Sequence, residues 1–325
     1  VTRVADSLES HRTSGLDRIR IGNAPCSWGT LEFGALSGAR QTFADMLDQL
    51  AAAGYTGSEL GDWGFMPTDP GELADHFARR NLELTGAYVG TPLEQPDQLS
   101  ANLEVTLRTA RLLAQAAARI GQDTAPHLVL AADNGTHAVR VQNAGRITSD
   151  MELDPAGWRH LARACDVIAQ AVQEHTGLPV VFHHHAAGFV ETPAEVARVM
   201  ETTSDAVGLV FDTGHYALGA GRADTILEAM NTFAPRISYV HFKDWSADVA
   251  ETVKSAGLNY FEAVREGIFC ELGQGAVDFP AVRDWLTARQ YTGYLTVEQD
   301  IIPGLGSPLE SAKRSRSYLR GLGFR

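Results

Sequence analysis

From Ile19 onward, short apolar runs alternate with longer stretches in which apolar residues recur every three or four positions. The short runs are rich in β-branched and aromatic residues and read as strands, and the longer ones read as amphipathic helices. Eight strands are predicted: IRIGNAP from Ile19, GSELG around Glu59, LELTGAYVG from Leu82, HLVLAAD from His127, LPVVFHHH from Leu178, VGLVFDTGH from Val207, ISYVHFKDW from Ile237 and GYLTVEQD from Gly293. Between them lie helical segments such as QTFADMLDQLAAAG, LEVTLRTARLLAQAAARIG and GWRHLARACDVIAQAVQEHTG, several closing on glycine, which ends helices by taking the left-handed conformation. Thr192-Pro193 before AEVARVM and Ser307-Pro308 before LESAKRS read as an N-cap followed by a first-turn proline.

This alternation predicts βα units around a parallel sheet. No Pro/Gly/Ser-rich linker divides them and no glycine-rich phosphate loop follows the first strand, which favours one (β/α)8 TIM barrel over a doubly wound sheet. A single barrel domain is expected over residues 19–325. Residues 1–18 are polar and aperiodic, and read as an N-terminal arm lying on the surface or on a partner. A length of 325 residues suits one barrel, and 44% hydrophobic content is ample for its core. The formal net charge of -13 would repel a phosphate backbone or an anionic membrane, so no nucleic-acid or membrane partner is expected. No apolar run is long enough for a membrane span and VTRVADSLESHRTSG lacks a signal-peptide core, which points to the cytoplasm. Cys26, Cys165 and Cys270 have neither disulfide nor zinc spacing and read as buried, reduced thiols.

A barrel collects its catalytic residues at the C-terminal ends of the strands. Glu59 closes the second strand, His183, His184 and His185 the fifth, Asp212 and His215 the sixth, His241, Lys243 and Asp244 the seventh, and Glu298 and Asp300 the eighth. A lone aspartate after a strand is often just a helix N-cap. Four consecutive strand ends carrying carboxylate, imidazole or both are harder to explain by capping, and together they predict a divalent metal. Mixed nitrogen and oxygen donors suit Mn2+, Co2+, Fe2+ or Zn2+. Alternation gives His183 and His185 one direction, the first for metal and the second for substrate. His184 faces the other way, with a structural hydrogen bond or a substrate contact as its two roles. Lys243 shares the inward face of His241 and would offer a cation to an oxyanion or hydroxyl, unless it snorkels to solvent. Trp28 would stack on a sugar ring or join the core, and Glu59 would touch substrate or form a structural ion pair. The ELGDWGF stretch also carries Asp62 and Trp63, and LGQGAVDFP is a weak phosphate-loop signal.

The segments FHHHAAGFVETPAEV, VGLVFDTGH, VHFKDW, GQGAVDF and VEQD, in that order, resemble the xylose isomerase-like TIM-barrel superfamily of sugar isomerases and epimerases. Within it the likeness is to the inosose (2-keto-myo-inositol) dehydratases. It spans about 290 residues, and its strongest part begins at Leu178. The superfamily holds a metal with Glu, Asp, His and Glu from strands five to eight. By resemblance the last three fall on Asp212, His241 and Glu298, the first falls on or beside His183, and His215 matches a substrate-contacting histidine.

The chemistry so implied is enolisation of a keto-polyol or keto-sugar assisted by a divalent ion, Mn2+ or Co2+ foremost, with Zn2+ or Fe2+ as alternatives. Epimerisation wants two opposed acid–base groups, a pair of glutamates in the superfamily's epimerases. Here one of the pair is replaced by histidine, a competent acid near neutral pH, which favours β-elimination. The expected catalytic residues are Glu298 or His185 as base, with His215, Lys243 or a fifth-strand histidine as acid. Trp28, Glu59 and His184 are the candidate substrate contacts, and His183, Asp212, His241 and Glu298 the candidate metal ligands. Alternatives are β-elimination from 3-keto-glycosides, C-glycosides included, with a second subunit; a ketose isomerase or epimerase; and a non-catalytic sugar-binding barrel. Homo- or hetero-oligomers are both compatible with the sequence.

Overall fold

A computed structural model describes residues 15–29, 41–300 and 306–325. Most of the expected arm, residues 1–14, lies outside the described residues; Gly15–Arg18 is one 3-10 turn whose Leu16 enters the core. The strands are β1 Ile19–Asn23, β2 Gly57–Ser58, β3 Glu83–Leu84, β4 Gly86–Thr91, β5 His127–Ala132, β6 Val180–His183, β7 Val207–Asp212, β8 Ile237–Phe242, β9 Asp244–Trp245, β10 Phe269–Cys270 and β11 Gly293–Val297. The helices are α1 Phe43–Ala53, α2 Pro70–Ala78, α3 Leu99–Ile120, α4 Ala138–Gln142, α5 Pro155–Thr176, α6 Pro193–Thr202, α7 Thr213–Ala220, α8 Ile226–Phe233, α9 Ala247–Ala256, α10 Tyr260–Arg265, α11 Phe279–Ala288 and α12 Pro308–Gly321.

The main sheet runs β3-β2-β1-β11-β8-β7-β6-β5-β4, and every pairing in it is parallel. Its two ends are pieces of one extended segment interrupted at Thr85. Thr85 keeps the connection, since its N–H donates to Ser58 O and its carbonyl accepts from His127 N, both at 3.0 Å. The sheet therefore curls into an eight-stave parallel barrel, a single-domain TIM-barrel-like fold.

Alternation divides the strand side chains between two cores. Val129, Val181, Val210, Tyr239 and Tyr294, with Tyr88 against them, fill the barrel interior. The intervening residues, such as Leu128, Phe182, Leu209 and Phe211, join the larger core beneath the helices. In α5, Trp158, Leu161, Cys165, Ile168 and Val172 recur at helical spacing on the buried face. Asp154 caps this helix at its start, and Gly177 closes it at a φ of 72°. Thr192 and Glu195 form the capping box that starts α6, and Ser307 caps α12.

The expected seventh strand stops at Phe242, before Lys243. Beyond it, Asp244–Trp245 pairs antiparallel with Phe269–Cys270. Asp244 causes the departure. Its carboxylate accepts the N–H groups of Gly273, Gly275 and Val277 at 2.8, 2.9 and 3.2 Å. The glycine-containing loop read as a weak phosphate signal thus directs its amides at a carboxylate of its own chain.

Candidate metal centre and active site

His183 ends β6, Asp212 ends β7, His241 is the penultimate residue of β8, and Glu298 follows β11. Parallel register sets Asp212 beside His241, and the Glu298 N–H donates to Phe242 O at 3.0 Å, so these side chains meet at one rim. One ligand atom from each of the four lies within 4.8 Å of the others, and all four residues are buried. His241 Nδ1 is 3.3 Å from Glu298 Oε1 and 3.7 Å from Asp212 Oδ2, and His183 Nε2 is 3.9 Å from Asp212 Oδ2.

Asp212 combines capping with ligation. Oδ1 accepts the His215 N–H at 2.7 Å and caps α7, whereas Oδ2 is buried without a hydrogen-bond partner, as is His241 Nδ1. An unpartnered buried polar atom costs roughly 1–3 kcal/mol, and two lone-pair donors converging on one space are what a bound cation satisfies. Two imidazoles and two carboxylates form the donor set of a divalent transition ion. Burial holds His183 well below its usual pKa, and His241 adds to the effect, so His183 is a neutral ligand. Burial also disfavours charge on His241, but the carboxylates of Glu298 and Glu59 prevail and raise its pKa to about 10. Burial pushes Glu298 up.

The other nitrogen of His241 faces away from the ligands. Nε2 donates to Glu59 Oε1 at 2.9 Å, and the Tyr239 hydroxyl donates to the same oxygen at 2.8 Å. Glu59 therefore stands behind a candidate ligand as an ion-pair partner, rather than toward a substrate. Such a carboxylate fixes which imidazole nitrogen is left for a metal.

Lys243 is 1% exposed, which excludes snorkelling. Its ammonium lies 3.1 Å from each of Glu298 Oε2, Asp300 Oδ1 and His215 Nε2. Burial opposes its charge, but Asp300 and Glu298 outweigh this and hold its pKa well above the usual value. Asp300 was visible as a strand-end residue without a role, and the structure makes it the counter-ion of Lys243.

His185 and His215 face each other with ring centroids 3.9 Å apart. Burial lowers both, His185 to about 3, so both are neutral rings. Their surroundings select opposite tautomers. His185 Nδ1 lies 2.7 Å from Ala186 O, a contact that requires Nδ1–H and leaves the lone pair on Nε2. His215 Nδ1 accepts the Ala186 N–H at 3.2 Å, which places the ring proton on Nε2, facing the Lys243 ammonium. Two donors thus meet without an acceptor between them. Asn134, which the sequence did not single out, brings its side-chain amide to 2.9 Å from His185 Nδ1, and with the ring proton on Nδ1 it is the amide oxygen that belongs on this side.

His184 turns outward, its ring against Phe211 and Tyr216 and its Nε2 accepting the Asp212 N–H at 3.2 Å. Trp28 is buried in the core, with Nε1 donating to Asn23 Oδ1 at 2.7 Å. Both positions correspond to the structural role rather than the substrate contact. Of the three cysteines, all free, Cys165 is buried while Cys26 and Cys270 are only partly so.

The chain after the triple histidine is pinned from behind. Ala187 adopts φ 63°, and its N–H and that of Gly145 donate to Glu191 at 2.8 and 2.6 Å. Arg140 makes a buried two-pronged pair with Glu195 at 2.9 and 2.8 Å and donates to Gly188 O at 2.7 Å. These contacts hold His185 against His215.

Fold and site together define a metal-binding TIM-barrel enzyme of the sugar dehydratase and epimerase type. The chain belongs to the family described as xylose isomerase-like TIM barrel, whose model matches residues 47–322. It is 28% identical over 304 residues to an inosose dehydratase of Histophilus somni, covering 94% of this chain and 97% of that protein. An inosose dehydratase of Glaesserella parasuis is 30% identical over the same length, with the same coverage of 94% and 97%. Among solved structures, the apo 3-keto-D-glucoside 4-epimerase of E. coli superposes with a TM-score of 0.65 at 17% identity, covering 93% of this chain and 99% of that one. An L-ribulose 3-epimerase gives 0.65 at 20% identity, covering 94% of each chain. These structural likenesses establish the fold.

Proposed function

We propose that the protein is a divalent-metal-dependent lyase that removes water from a cyclic keto-polyol, with inosose as the parent substrate. The observation that carries this is the convergence of His183, Asp212, His241 and Glu298, with Asp212 Oδ2 and His241 Nδ1 buried and unpartnered. The relatives named inosose dehydratase, matched over nearly the whole chain, support the choice of substrate.

His183, Asp212, His241 and Glu298 would hold the ion, with Mn2+ or Co2+ the expected occupant. When bound, it would polarise a ketone and acidify the neighbouring carbon. The residues around it divide the proton transfers. His185 is the base, because its Nε2 keeps a lone pair while Nδ1–H is engaged by Ala186 O. Glu298 is less suited to that role, being tied to Lys243 at 3.1 Å and directed at the metal cluster. His185 takes the proton from the carbon beside the ketone. The electron pair forms the new double bond, and the C–O bond at the next carbon breaks. The departing hydroxyl accepts a proton from the His215–Lys243 pair and leaves as water. A leaving oxygen between His215 Nε2–H and Lys243 would supply the acceptor that those donors lack.

The test compares H185A and K243M with the parent protein under matched metal loading. Each should lose about 100- to 10,000-fold in kcat, and H185A alone should also stop exchange of the α-carbon proton with solvent. An H185A enzyme that still exchanged that proton at the parent rate would contradict the assignment of the base.

A further inference from the structure

At the barrel mouth, where β2, β4 and β5 end, lies a cleft of about 320 Å³ lined by Leu60, Trp63, Tyr88, Asn134, Val105 and Thr109, among others. It opens where the short β2 ends. After the Leu60 N–H donates to Gly86 O at 2.9 Å, the chain leaves the sheet as Gly61-Asp62-Trp63. Its inner end reaches the proposed chemistry. The Tyr88 ring is 6.0 Å from that of His183 and 6.1 Å from that of His185, and Asn134 contacts His185. Its outer end reaches Val105 and Thr109 on α3, outside the barrel wall. The cleft therefore crosses the rim, and a single ring held at the metal would not fill it.

Its walls define the chemistry of what would fill it. Leu60, Val89 and Val105 are apolar, and Trp63 and Tyr88 are aromatic. Trp63 is 40% exposed, the one tryptophan, tyrosine or phenylalanine left so open among the described residues, and the Arg108 guanidinium stacks on its ring at 4.0 Å. The polar lining, Asp62, Asp133, Asn134 and Thr109, includes two carboxylates and no lysine or arginine. Two carboxylates against the one guanidinium on Trp63 leave this wall net negative, which disfavours phosphates and carboxylates, and it accepts hydroxyls along the edge of a ring whose face meets an aromatic side chain.

We propose that this cleft is a second substrate subsite, which takes an uncharged ring substituent, aryl or glycosyl, carried by the keto-sugar ring and stacked on Trp63. The proposal rests on the metal-centred β-elimination above and extends its substrate class from the bare keto-polyol ring to rings bearing such a substituent.

The experiment titrates Mn2+-loaded protein calorimetrically with methyl β-D-glucopyranoside and phenyl β-D-glucopyranoside, probes that differ only in the substituent. The phenyl glycoside should bind at least about fivefold more tightly, in the range expected of aromatic stacking. W63A and the cleft-filling V105F should each bring the ratio to about one. Equal binding of both probes by the parent protein would overturn the subsite, as would an unchanged ratio in both folded variants. Dehydration of inosose is scored separately in the same preparation. Its absence would contradict the lyase assignment, while the binding ratio alone decides the cleft.

Discussion

Asp212 uses one oxygen to cap α7 and leaves the other, buried and unpartnered, among the metal ligands. The two roles separate under substitution. An asparagine at this position could still cap but would bring no charge to the ion, so D212N should still fold while losing metal binding. Glu59 sits one step further out, on His241 Nε2. E59Q should weaken metal affinity by about 10- to 100-fold, the usual effect of removing such a partner, and D212N should exceed it. Metal titrations of both variants, followed by Mn2+ electron paramagnetic resonance, check the order. An E59Q protein with parental affinity would show that Glu59 does not orient the ligand. The cluster itself was legible because its members sit at strand ends and a barrel gives strand ends a common rim. The partners were less so: Glu59 meets His241 across 182 positions of sequence, a contact fixed by barrel closure and by which way a short strand points. Likewise, nothing local marked Asp300 as the counter-ion of Lys243.

At the scale of elements, the segment after β6 decides where His185 stands. Glu191 holds it through two backbone N–H groups, yet burial lifts the Glu191 pKa from 4.5 to about 7. A carboxyl group whose pKa is raised on folding contributes stability that is complete below its unfolded value and lost as pH rises through its folded value. Stability should therefore fall between about pH 4.5 and 7, by on the order of 3 kcal/mol from this group. E191Q should flatten that part of the profile, as read from chemical unfolding at each pH. Arg140 behaves differently, because R140M would leave Glu195 buried and charged without its partner. It should destabilise by about 3–5 kcal/mol, with His185-dependent activity falling in the protein that remains folded. The strands and helices of this region followed from periodicity and capping residues. The interruption at Lys243 did not, because it depends on Asp244 gathering amides some thirty residues away.

For the whole molecule, an eight-stave barrel draws its four candidate metal ligands from β6, β7, β8 and the residue after β11, so an ion there would tie consecutive staves together. Mn2+ at 100 times its dissociation constant should add about 2.7 kcal/mol to the unfolding free energy, and D212N should abolish that increment. The alternation of strand and helix made the architecture legible at this scale. The Trp63 cleft was not legible, because it arises where β2 is only two residues long and leaves the rim open toward α3. The most direct measurement of the central claim is the ultraviolet absorbance of a diketone product when 2-keto-myo-inositol meets Mn2+-loaded protein and a chelator-stripped sample of it. Product should accumulate only with metal and disappear in H185A. Full dehydratase activity after stripping, or α-proton exchange in the loaded enzyme without loss of water, would contradict a metal-dependent lyase.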